Sequence, residues 1–93
     1  MNTTQRKPGD EKMTRSLTPA MSKLWKKADA LKVGRQYSEC TRNPDKAVRD
    51  KFKRDRQIVG TKAWAICECL RLPNEVEMWS DERCKSVSAA LDS

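Results

Sequence analysis

The chain has 93 residues, 35% of them charged, a net charge of +7 and no histidine. That length gives one domain whose core holds about a dozen large apolar side chains, with a few kcal/mol of net stability and little reserve for strained catalytic geometry. Without histidine the commonest general base, the usual nucleophile triads and most zinc and non-haem iron sites are excluded.

The charge is uneven. Residues 1–60 carry 16 Lys/Arg against 7 Asp/Glu, whereas residues 61–93 carry 4 against 6. A basic part joined to a mildly acidic one points to an anionic partner met by the first two-thirds of the chain. No apolar run approaches the roughly 18 residues that span a bilayer, so no membrane is expected. The polar N-terminus carries no secretory signal, which predicts a cytoplasmic setting with Cys40, Cys67, Cys69 and Cys84 as reduced thiols.

In chain order, residues 1–17 read as a flexible basic arm, with Pro8, Gly9 and almost no apolar periodicity. Residues 18–93 read as a single all-α domain, a compact bundle of about four short helices. Thr18 and Pro19 open the first helix as cap and first helical residue. Met21, Leu24, Trp25, Ala28 and Leu31 follow at the spacing of one helical face, and Gly34 supplies the expected left-handed stop. A connection over Arg35–Thr41 then leads to Asn43-Pro44-Asp45, a second start signal. The second predicted helix runs from Pro44 to about Val59, with Val48, Phe52 and Val59 as its apolar stripe.

Gly60 interrupts, and Thr61 caps a third helix through Ala63, Trp64, Ile66, Cys67 and Leu70 that Pro73 brings to an end. Val76, Met78 and Trp79 call for burial in a short helical turn. Ser80, followed by Asp81 and Glu82, opens a last helix whose inner face is Cys84, Val87 and Leu91.

The candidate site lies on the second predicted helix. At about 100° per residue, Lys46, Arg49, Lys53 and Arg56 fall within roughly 80° of arc, beside the apolar stripe, with Arg42 just before them. On a helix about 24 Å long such a ridge can follow a phosphate backbone. Lys23, Lys26 and Lys27 of the first helix are expected to assist. The competing expectation is a self-paired solvated helix, because Asp45/Arg49, Lys46/Asp50, Asp50/Arg54 and Lys51/Asp55 all have supporting spacings. Specific base reading is not indicated, since the helix after Gly60 carries core residues where a helix-turn-helix needs polar readers.

Four cysteines raise the question of a metal. No pair has the spacing of a structural zinc site, and Cys67 and Cys69 point about 160° apart on one helix. No metal and no cofactor are therefore expected, and the dispersed Gly9, Gly34 and Gly60 form no phosphate-binding loop. In size, basic helical character and lack of catalytic groups the chain resembles small phage or mobile-element regulators. That resemblance implies a regulatory role, and the absence of any catalytic constellation gives the expectation of no enzymatic one. Two partners fit: nucleic acid, above all duplex DNA held by its backbone, or an acidic surface of a larger protein such as a nucleic-acid-processing enzyme. In the second case Met78 and Trp79 are the expected apolar anchors. Homodimerisation is one way for so sparse a core to be completed.

Overall fold

The computed structural model describes residues 17–93, so the arm expected over residues 1–17 lies outside the described residues apart from Leu17. The described part is all-helical and contains no strand. It has six α-helices rather than about four: α1 (Pro19–Leu31), α2 (Val33–Arg42), α3 (Lys46–Asp55), α4 (Lys62–Cys69), α5 (Leu72–Glu75) and α6 (Asp81–Leu91), with a 3-10 turn over Val76–Met78. No described helix is long and apolar enough to cross a membrane.

The first helix starts as its sequence requires. Thr18 accepts a hydrogen bond from the Met21 amide, and Pro19 opens the first turn. Its stop differs from expectation: the left-handed residue is Lys32, at φ 52°, not Gly34. The Lys32 amide closes the turn on the carbonyls of Ala28 and Asp29. Breaking there lets Val33 start α2 as a buried residue, and the expected connection over Arg35–Thr41 is helical instead. The gain is the burial of Val33 in the core, set against the roughly 1–2 kcal/mol that a side chain costs in the left-handed region.

The main core is built from Met21, Leu24 and Ala28 of α1, Val33 of α2, Ala65, Ile66 and Cys69 of α4, Leu72, Val76 and Trp79 around α5, and Cys84, Val87, Ala90 and Leu91 of α6. Helix α4 is apolar on most sides because it is central, packing against α6, α2, α3 and α1. Helices α1 and α6 run parallel. Their starts are tied by Thr18 donating to Asp81, and their ends by Lys27 bonded to Asp92 at 2.7 Å. Pro73 does not end a helix; it sits in the first turn of α5, where a missing amide proton leaves no bond unmade.

Around the 3-10 turn the two large side chains part company. Trp79 is 3% exposed, with the Arg83 guanidinium 3.9 Å above its ring, and Arg83 also pairs with Glu68 of α4. Met78, expected in the core, is 76% exposed, because three residues per turn place it a third of a turn away from the face that Val76 and Trp79 share.

Candidate nucleic-acid interface

Helix α3 is shorter than its sequence suggests. Asn43 accepts a bond from the Asp45 amide, which delays the start, and Asp45 rather than Asn43 caps the helix through the Ala47 amide. At the far end the Thr61 hydroxyl donates to the carbonyls of Asp55 and Ile58, and Gly60 turns the chain at φ 96°. Ten helical residues give about 15 Å of axis.

The shortening changes what anchors the helix. Val59 falls beyond it and is 75% exposed, Val48 is exposed, and Phe52 alone of the expected stripe is buried. Phe52 lies outside the main core cluster and meets Tyr37 of α2 edge to face, with ring centroids 5.7 Å apart. Tyr37 packs in turn on the core, so this aromatic pair links α3 to the body of the protein through α2, beside its contact with α4.

Beside that pair lies the row of cations. Lys46 and Lys53 are exposed, while Arg49 and Arg56, nearer to Phe52, are half-buried. The Arg56 guanidinium donates to the Tyr37 hydroxyl at 3.2 Å. Arg42 ends α2 in an exposed position. Of the self-pairing expected within the helix, Lys46–Asp50 and Lys51–Asp55 form, at 2.8 and 2.6 Å. The Lys46 ammonium, helped by Lys53 and Arg49, lowers the Asp50 carboxyl below its ordinary value. Asp45/Arg49 and Asp50/Arg54 make no ion pair, because Asp45 serves as the cap and Asp50 turns to Lys46.

Between Arg42 and Lys62 the chain has eight cations and three carboxylates. Each carboxylate is already engaged, one as a cap and two in ion pairs. Arg42, Arg49, Lys53, Arg54, Arg56 and Lys62 are left with no carboxylate partner among the described residues. Arg54 and Lys62 were not singled out from the sequence. Lys62 could have been, since it follows the Thr61 cap directly and therefore sits at the exposed start of α4.

The first-helix lysines do not join this row. Helix α3 packs on α2 and α4, while α1 packs chiefly on α6. Lys23 and Lys27 line a cavity of about 430 Å³ between α1 and α6, together with Lys85. Lys26 borders a separate cavity of about 500 Å³ walled by Leu17, Trp25, Pro73 and Val76. Of the two expected protein anchors, Met78 is open to a partner and Trp79 is not.

Among the described residues no three Cys, Asp or Glu side chains converge to hold a metal ion. Cys69 and Cys84 are buried and Cys40 and Cys67 partly so, all as free thiols. Burial pushes the thiols of Cys67, Cys69 and Cys84 up, Cys69 to about 12, which opposes thiolate chemistry at neutral pH. Comparison with family models, with curated proteins and with solved structures found no significant match.

Proposed function

We propose that this chain is a cytoplasmic, non-catalytic regulatory protein that binds duplex nucleic acid, chiefly DNA, through the phosphate backbone. The observation carrying this reading is the surplus of cations between Arg42 and Lys62, every neighbouring carboxylate being otherwise engaged. The row supplies about four cations for phosphate contact, Arg49, Lys53 and Arg56 with either Lys46 or Arg42. Arg42, Arg49 and Arg56 offer planar donors suited to phosphate oxygens. Four free thiols suit a reducing compartment.

The test is a double charge reversal, Arg49→Glu with Lys53→Glu, assayed on a short duplex at low salt. Binding should be lost while the melting curve and circular dichroism persist. A folded variant with unchanged affinity overturns the proposal.

A second reading has its own observation. The cavity of about 500 Å³ walled by Leu17, Trp25, Pro73 and Val76, with Met78 exposed on the adjoining 3-10 turn, suits an apolar anchor from a larger protein. In that case the α3 cations meet an acidic protein surface. A protein captured by the wild type after nuclease treatment, and lost when Lys53 and Arg54 are reversed, would favour it over the first.

A further inference from the structure

The turn joining α3 to α4 presents two consecutive apolar side chains to solvent. Ile58 is 54% exposed and Val59 75%. The turn is nonetheless held firmly. The Ile58 amide bonds the Asp55 carbonyl at 2.9 Å, the Gln57 amide bonds the Arg54 carbonyl at 3.1 Å, and the Thr61 amide returns to the Ile58 carbonyl at 3.2 Å. The Thr61 hydroxyl adds two further bonds across the turn, and Gly60 supplies the positive φ that reverses the chain. These bonds fix the backbone of the tip, which lowers the ordering cost of presenting its apolar side chains.

Arg54, Gln57 and Lys62 are exposed before and after the tip in the chain, while on its other side Val59 and Gly60 border a cavity with Trp64, Ala89 and Ser93. Two side chains are far too little for a protein interface, which needs roughly 800 Å² and some twenty residues on each side. Lys62 beside the tip is also a residue type that protein interfaces disfavour. A second copy of the chain would bring like charges together. A small apolar tip with a cation before it and another after it suits a different surface, the stacked bases of a duplex, where an inserted aliphatic side chain parts one base step while flanking cations hold the phosphates.

Resting on the function proposed above, we infer that Ile58 and Val59 form a wedge that enters duplex DNA from the minor groove and bends it. Flexible pyrimidine–purine steps are the expected point of entry, since they unstack most readily. The cations of α3, with Arg54 and Lys62, hold the backbone on either side.

The experiment compares the full-length wild type with the Ile58→Ser/Val59→Ser double variant on an end-labelled duplex of about 25 base pairs carrying a central TA step. Energy transfer between the ends reports bending, and a titration at several salt concentrations reports binding. Both positions are exposed, so circular dichroism should show an unaltered fold. The wild type should bend the duplex by an angle on the order of 20–90°. The variant should keep the salt dependence and lose the change in energy transfer. Binding without bending by the wild type overturns the wedge but leaves the backbone contact standing. A variant that bends DNA as the wild type does overturns it too, including the case in which that variant loses a protein partner instead. No duplex binding by the wild type removes the wedge and the proposed function together.

Discussion

Cys69 shows how a single residue sets both what the protein avoids and how it responds to pH. Its thiol is buried between α4 and α6 and is pushed from 9.0 to about 12, first by burial and then by the nearby Glu68 and Cys84. The folded protein therefore keeps a proton that the unfolded chain gives up once the pH passes about 9. The corresponding stability is complete below that pH and is lost as pH rises towards 12. In Cys69→Ala the alkaline decline should be shallower, although the variant starts lower because of the small cavity it leaves. Urea midpoints measured from about pH 8 to about pH 11 check this, and identical slopes in the two proteins would contradict it. The burial of this thiol was only half legible. Helical spacing placed Cys67 on the inner face, whereas the central position of α4 buries Cys69 and leaves Cys67 at the edge.

At the scale of elements, the starts of helices were easier to read than their ends. Thr18, Thr61 and Ser80 each cap as their sequences imply, because a cap is a local hydrogen bond between near neighbours. Stops depend on distant packing. Lys32 adopts the left-handed turn although Gly34 stood two residues away, and α3 stops at Asp55 because Thr61 claims its carbonyl. The split of residues 19–42 into two helices and the small α5 follow from the same cause.

The attachment of α3 through Phe52 leads to a measurable expectation. Phe52→Ala should remove amide protection over Lys46–Asp55 while α1, α4 and α6 keep theirs, because Phe52 stands apart from the main core. Duplex affinity should fall along with that protection. Uniform loss of protection across all helices would show instead that Phe52 belongs to the cooperative core. Truncating a buried Phe typically costs about 3–5 kcal/mol, enough to loosen a helix whose one buried side chain is Phe52.

Across the whole molecule, the asymmetry of charge was the most legible feature and its location the least. The row Lys46, Arg49, Lys53 and Arg56 follows from helical geometry alone, and their graded burial beside Phe52 fits that geometry. Lys23 and Lys27, by contrast, are gathered with Lys85 by the parallel pairing of α1 and α6, and a contact between residues some sixty positions apart has no local signal. Lys62 acquires its place only through the turn at Ile58–Gly60. Trp79 looked like an anchor for a partner because large apolar side chains serve both cores and interfaces; its place under Arg83 assigns it to the core.

The central claim is that the cations of α3 meet phosphates, and the salt dependence of duplex binding measures this most directly. Four contacts give a slope of about −3.6 for log affinity against log salt, or about a hundredfold loss between 50 and 200 mM. Arg49→Ala with Lys53→Ala should reduce that slope by about two contacts' worth, to roughly half. A slope that is the same in both proteins, or an affinity that does not depend on salt, would contradict the account.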